Sequence, residues 1–416
     1  MKKSVDPTIA SRISLKSTFS AFRHYNYRLW FFGQLFSLVG TWMQSTAQGF
    51  LVYSLTGSPA YLGLVSFASG IPLIFSLYGG VIADRIPRRT LMIITQSAML
   101  ILAFILAGLV LLQIIQAWMV IILSFFLGIA NAFDAPARMA IIVDLVEDRA
   151  DLTNAIALNS TMFHLAFIVG PAAAGFTYSW FGPGWCFAIN GVSFIAVIIA
   201  LLFMRIKTLP TAEYHGPVHI EIRDSLNYVK SNKSVLMLIA SLGIIAIFGF
   251  GVLNLTPVWA VDVLHGDVTT NGFLLSARGL GALIGALTVA ALGVHRIRGK
   301  MWTLGSFVLP FLLIVFALSP WLLVSLLLLV GIGWSLMFIV NNTNALVQTS
   351  IPDVMRGRVM ALYSLVFEGG IPLGSLLAGA LATVIDIRVI VVICGLLLFI
   401  FALFTWLANP QLREMK

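Results

Sequence analysis

The chain has 416 residues, of which 60% are hydrophobic and only 10% charged, with a formal net charge of +9. A water-soluble chain carries about a quarter charged residues, so this composition excludes an ordinary soluble protein and points to one that lives in a bilayer. The two cysteines, Cys186 and Cys394, lie in separate apolar segments and suggest neither a disulfide framework nor a metal cluster.

Residues 1–28 are polar and basic and lack the short apolar core and small-residue cleavage site of a signal peptide, so the first apolar segment is expected to stay in the mature protein. Apolar segments follow at about 29–55, 60–82, 91–112, 118–143, 153–178 and 185–205, and again at about 235–261, 271–294, 301–318, 321–350, 359–384 and 388–408. Each approaches or exceeds the length a bilayer core requires. The expectation is an all-α integral membrane protein of twelve transmembrane helices, arranged as two pseudo-symmetric six-helix bundles at 1–206 and 235–416. Between them lies a linker at 207–234. Within it Ile222, Leu226 and Val229 share one helical face while Arg223, Lys230 and Lys233 lie elsewhere, which predicts a short amphipathic helix on the membrane surface.

Lys and Arg are concentrated in alternate connections and at both ends. That set holds 23 of the 25 cations, whereas 56–59, 112–117 and 181–184 hold none. By the positive-inside bias, both termini face the cytoplasm. The exceptions are Arg388, at an outer boundary, and Arg278, inside the eighth segment. Dispersed over so many loops, the net positive charge is a topology signal with affinity for anionic lipid and gives no basic patch for nucleic acid.

Polar groups inside a bilayer must face protein or water. The first segment stacks Ser37, Thr41, Gln44 and Gln48 on one face, and the fourth carries Ser124, Asn131, Asp134 and Arg138. The seventh has Asn254 and Thr256 beside Pro257, and the tenth has Asn341, Asn344 and Gln348. The ninth and twelfth are almost wholly apolar and suit a lipid-facing place. Polar helices recurring at every third position in both halves imply a central cavity lined by Thr41, Gln44, Gln48, Asn131, Asn254, Arg278, Asn341 and Asn344. The competing reading is that such groups only bridge neighbouring helices.

Arg278 within the membrane needs a partner, for which an anionic substrate, Glu368 and groups on the fifth helix are candidates. Glu368, beside Gly369, Gly370 and Pro372, is placed to carry a coupling proton, with His164 at a similar depth in the fifth helix as its rival. A fixed ion pair or helix–helix hydrogen bond is the structural alternative for each.

Between the second and third segments the chain reads Gly80-Val-Ile-Ala-Asp84-Arg85-Ile-Pro87-Arg88-Arg89. An acid followed by clustered cations in a tight loop can make charge-assisted contacts to nearby helix ends. A cytoplasmic gate is expected from Gly80, Asp84, Arg85, Arg88 and Arg89 with Asp134, Arg138 and Asp144. This string resembles the signature between helices two and three of the major facilitator superfamily, with Pro87 where that family usually has glycine. The second-half counterpart, Gly293-Val-His295-Arg296-Ile-Arg298-Gly-Lys300, keeps the cations and has His295 for the acid.

Asn26-Tyr-Arg-Leu-Trp30, Gly40-Thr-Trp42-Met-Gln44, Gln48-Gly, Leu55-Thr-Gly-Ser-Pro59 and Asp134-Ala-Pro136-Ala-Arg138 resemble the branch of that superfamily containing the enterobactin exporter and macrolide efflux proteins. Gly170-Pro171-Ala-Ala-Ala-Gly175 partly resembles the fifth-helix signature of antiporters. The resemblance implies the major facilitator fold and secondary active transport in a bacterial cytoplasmic membrane. The leading expectation is proton-coupled export of an amphipathic small molecule such as a siderophore, drug or lipid-like metabolite, without a cofactor, by a monomer in contact with lipid. Uptake and a non-transporting sensor or scaffold are the alternatives. No P-loop or metal-ligand spacing points to an enzyme.

Overall fold

A computed structural model describes residues 19–75, 86–205, 218–292 and 297–415, and its regular structure is helical. The first half comprises α1 (Tyr25–Thr56), α2 (Pro59–Gly70, continued by the 3-10 turn Ile71–Phe75), α3 (Arg88–Leu111), α4 (Ala117–Leu145), α5 (Leu152–Phe181) and α6 (Pro183–Phe203). The second comprises α7 (Lys233–Val263), α8 (Val268–Leu292), α9 (Arg298–Leu318), α10 (Leu322–Ser350), α11 (Asp353–Leu381) and α12 (Ile387–Ala408).

Sequence punctuation explains the tightest hairpins. α1 ends where Gly57 turns left-handed at φ 60°, and α2 restarts with Pro59 in its first turn. Gly182 at φ 87° and Pro183 do the same between α5 and α6. A glycine tolerates positive φ, and a proline at a helix start loses no hydrogen bond.

Ten described helices are long and apolar enough to cross a membrane, and Pro59–Leu73 is a shorter apolar helix. α1, with 32 residues, is the polar exception, since it buries Gln34, Ser37, Gln44, Thr46 and Gln48. These elements fit the twelve-helix expectation. Exposed Val389, Ile393, Leu396, Ile400, Leu403 and Phe404 give α12 an apolar outer face suited to lipid.

The linker contains a helix at Val218–Ser231 that packs against α11 and α7. Its buried positions are Ser225 and Val229, while Leu226 is 39% exposed. Leu226 and Val229 therefore do not share one buried face, because the helix turns its 225/229 ridge onto the bundle. The side chain of Ile222 lies outside the described residues, as do Gly80, Asp84, Arg85, His295 and Arg296.

Within the first half α1 packs on α5 and α6, α3 on α4 and α6, and α2 on α4; within the second, α10 packs on α8 and α9, and α9 on α12. The halves meet along α2–α11 and α5–α8. These seams are glycine-lined. A Cβ on Gly63 would lie 2.6 Å from the Ser375 carbonyl oxygen, one on Gly175 2.9 Å from Thr269 Cα, and one on Gly272 2.5 Å from the Pro171 carbonyl oxygen. All these contacts fall toward the end of the molecule where α1 turns into α2, opposite the termini.

Candidate functional site

A cavity of about 670 Å³ lies between the halves. At the end opposite the termini it is sealed by bonds that cross the seam. The Tyr53 hydroxyl donates to the Asp262 carboxylate at 2.6 Å, Ser276 to the Ile168 carbonyl at 2.6 Å, and Thr269 to the Gly175 carbonyl at 3.5 Å. Asn254 Nδ2 reaches the Ser66 hydroxyl of α2 at 3.4 Å and the Ser375 hydroxyl of α11 at 2.9 Å.

Thr41, Gln44, Gln48, Asn131, Asn254, Arg278, His164 and Glu368 all line this cavity. Several spend their polarity on the scaffold. Asn190 of α6 donates to the Gln44 amide oxygen at 2.8 Å, Gln48 donates to the Ser124 hydroxyl at 2.7 Å, and Thr41 and Asn131 bond back to the carbonyls of Ser37 and Leu127.

Asn341 and Asn344 do not line the cavity and correct the expectation for α10. Gly333, Leu336, Met337 and Val340 form that wall. Asn344 follows Val340 by one turn towards the terminus-bearing end, where its amide oxygen accepts from Gln348 at 2.7 Å. Periodicity fixes the face of a helix, while the depth of closure is set by packing between the halves.

The most constrained polar group is Arg278, 9% exposed on α8. Its chemistry begins in α7, where the helix is interrupted by π segments at Ala246–Gly251 and Trp259–Val263. Pro257 has no N–H, so the Leu253 carbonyl four residues earlier loses its helical donor. Arg278 Nη1 donates to that carbonyl at 3.4 Å and the Thr256 hydroxyl donates to it at 3.3 Å. The guanidinium also sits over the Phe167 ring of α5, 5.4 Å from its centroid. No carboxylate lies within 4.0 Å of it among the described residues, so Glu368 is not its partner.

Glu368 on α11 is exposed to the cavity, with no ion pair among the described residues. Pro372, four residues on, removes the helical donor to the Glu368 carbonyl, and Gly369 and Gly370 follow directly. His164 is buried on α5 beside Phe163, and its Nδ1 has no hydrogen-bond partner.

Of the expected gate residues, the described ones, Arg88, Arg89, Asp134, Arg138 and Asp144, bond within the first half. Arg88 pairs with Asp144 at 3.0 Å and donates to the Ala140 carbonyl at 3.1 Å, while Arg89 donates to the Leu202 carbonyl at 2.8 Å. Asp134 is buried, accepts from Thr95 at 2.8 Å and Gln96 at 3.0 Å, and lies 3.5 Å from Arg138 Nε.

Asn190, Asn271, Phe167 and the Tyr53–Asp262 pair are structural features the sequence reading passed over. Asn271 lies seven residues before Arg278, on the same helical face, and that spacing was a usable signal. The Tyr53–Asp262 contact joins residues 209 apart and leaves no local trace. No group of three His, Cys, Asp or Glu that could hold a metal occurs among the described residues.

Residues 16–416 match the transmembrane secretion effector family. The chain is 25% identical to the staphyloferrin A transporter of Staphylococcus aureus (strain NCTC 8325 / PS 47) over 390 residues, covering 92% of this chain and 96% of that protein. It is 26% identical over 403 residues to macrolide efflux protein A of Streptococcus pyogenes, covering 94% and 96%. It is also 26% identical over 373 residues to the enterobactin exporter EntS of Citrobacter koseri, covering 89% and 86%. Its fold resembles the nucleoside transporter NupG (TM-score 0.72, 13% identity, 94% of this chain and 100% of that one). A bacterial homolog of the human lysosomal transporter Spinster, crystallised inward-facing and unoccupied, is also similar (TM-score 0.70, 13% identity, 96% and 98%).

Proposed function

Since this chain belongs to the transmembrane secretion effector family of major facilitator transporters, we propose that it exports an amphipathic small molecule from the cytoplasm in exchange for protons, by alternating access. The observation that carries this reading is a cavity between the halves, sealed at one end by contacts between them, with the carboxylate of Glu368 facing into it. The chain is a multi-pass membrane transporter; export, proton coupling and orientation are the proposal.

The cation bias supports placing the termini in the cytoplasm, so the sealed end faces outward and the cavity is in its cytoplasm-facing phase. The similarity to an inward-facing structure agrees with that assignment. Relatives named for macrolide efflux, enterobactin export and multidrug efflux support the outward direction. The cavity mixes aromatic walls from Trp42, Phe163, Phe250 and Phe367 with few polar groups, which suits amphipathic cargo. The cavity is lined by one chain, which supports a monomer as the working unit, surrounded by lipid.

The test uses inside-out membrane vesicles and labelled macrolide, staphyloferrin A and enterobactin. Acidifying the vesicle interior should drive accumulation of at least one of them, and collapsing the pH gradient should abolish it. Accumulation only in right-side-out vesicles would replace export with uptake, and accumulation indifferent to pH would remove the proton.

A further inference from the structure

Arg278 is more than nine-tenths buried, yet among the described residues only one of its five N–H groups finds a protein acceptor. A guanidinium left so poorly paired at this depth is costly unless something else completes its shell. Two more under-bonded polar groups line the same cavity. Asn271, fully buried two turns before Arg278 on α8, has no partner for either its amide nitrogen or its amide oxygen, and His164 of α5 leaves Nδ1 unbonded.

The surrounding wall is aromatic. Phe167 underlies the guanidinium, and Trp42 contacts both Phe167 and Phe163, with ring centroids 4.4 and 5.8 Å apart. Arg278 and Asn271 come from the second half, and His164, Phe167 and Trp42 from the first. Such a site accepts a negative charge at Arg278 and a flat apolar body against the rings.

We propose that Arg278, with Phe167 and Trp42 as its wall, forms a subsite for the anionic group of an aromatic organic acid, in the same cavity that Asn271 and His164 line at other depths. This rests on the transporter reading above and narrows its cargo to an anion with a planar apolar body. Because the subsite draws on both halves, a bound anion holds them together at the sealed end.

The same anion chemistry exists in lipid headgroups, so the experiment separates the two. The full chain in phosphatidylcholine nanodiscs is dialysed to equilibrium against radiolabelled 2-naphthoate or its neutral isostere 2-naphthamide, with empty discs as baseline. A charge-assisted bond of about 1.5–3 kcal/mol corresponds to about a tenfold or greater preference for the acid. Arg278→Gln should erase that preference and Arg278→Lys retain part of it. Both variants are checked for an unchanged melting temperature, and if the Gln variant unfolds, the Lys variant and the naphthamide comparison still decide. Equal binding of acid and amide to wild type overturns the subsite, as does a preserved preference in Arg278→Gln or loss of naphthoate binding in phosphatidylglycerol discs, which would give the site to lipid. Gradient-driven movement of a neutral or cationic compound in vesicles, with no naphthoate binding, would sink the subsite while leaving the transporter reading intact.

Discussion

The phenol of Tyr53, near the end of α1, donates to the carboxylate of Asp262, near the end of α7, at 2.6 Å across the seam between the two halves. Tyr53 is buried and Asp262 exposed, so the bond closes the rim of the cavity rather than its floor. Alternating access requires it to break whenever that end opens.

Tyr53→Phe keeps the ring and removes the donor. Solvent at Asp262 limits the cost to about 1 kcal/mol, or roughly fivefold in the ratio of open to closed rim. Spin labels at Gln113→Cys and Thr383→Cys, on connections of opposite halves at the sealed end, should show an increased long-distance population. An unchanged distance distribution would mean that the bond is incidental to closure.

The glycine seams give a stronger version of the same shift. Gly272→Val places a Cβ 2.5 Å from the Pro171 carbonyl oxygen, and backbone cannot yield as a flexible side chain would. The expected result is loss of the closed rim in the same label pair, with slowed transport. Gly108→Val on α3, which meets nothing within 4 Å, is the control and should leave the distances unchanged. Normal closure in Gly272→Val would show that the α5–α8 seam is not tight in the working protein.

Much of this architecture is legible in the sequence, since helix positions follow from apolar runs and the tightest turns from Gly57-Ser-Pro59 and Gly182-Pro183. Of the polar stripe of α1, Thr41, Gln44 and Gln48 line the cavity, while Ser37 does not. What the sequence hides is pairing and depth. Gln44 and Gln48 read as substrate contacts, yet Gln44 accepts from Asn190 and Gln48 donates to Ser124 on neighbouring helices. Helices α2, α5, α8 and α11 also line the cavity, partly through glycines, prolines and aromatics that carry no polar stripe. Asn344 lies on a lining face of α10 but one turn beyond the enclosed volume. Arg278 reads as costly in sequence, but that Pro257, on the preceding helix α7, frees its acceptor emerges only from the fold.

At the terminus-bearing end, Asp151 before α5 pins the segment preceding α1. It pairs with Arg23 and lies 2.9 Å from His24 Nε2, with Asp148 at the edge of the cluster. The Arg23 guanidinium, then Ser20 and His24, hold its carboxyl well below the usual carboxylate range. A depressed folded-state pKa means the contact's stabilisation is fully present above the unfolded carboxylate value of about 4 and is lost as pH falls through the lower folded value. A spin label at Phe19→Cys should therefore keep constant mobility from about pH 7.5 to 5 and loosen only below about 4. Asp151→Asn should be mobile throughout, and mobility unchanged down to about pH 2 or equal in Asp151→Asn and wild type would remove Asp151 from the docking.

The proposed coupling role of Glu368 makes the sharpest prediction. Its side chain faces the cavity, no cation pairs with it among the described residues, and the Gly369-Gly370 pair with Pro372 makes its stretch of α11 deformable. A carboxylate that meets cytoplasmic water in one phase and outside water in the other can release a proton inward and take one up from outside, which is the stoichiometric link exchange requires. Neutralising it should uncouple the two flows without destroying the path. Glu368→Gln in vesicles should retain exchange of labelled substrate down its own gradient while losing accumulation driven by an imposed pH gradient. His164 is the rival carrier lining the cavity, so His164→Gln should leave pH-driven accumulation in place. Full pH-driven accumulation in Glu368→Gln, with its loss in His164→Gln, would transfer the proton to the histidine. Loss of both exchange and accumulation in a Glu368→Gln protein with a lowered melting temperature would instead make the carboxylate a structural group of α11.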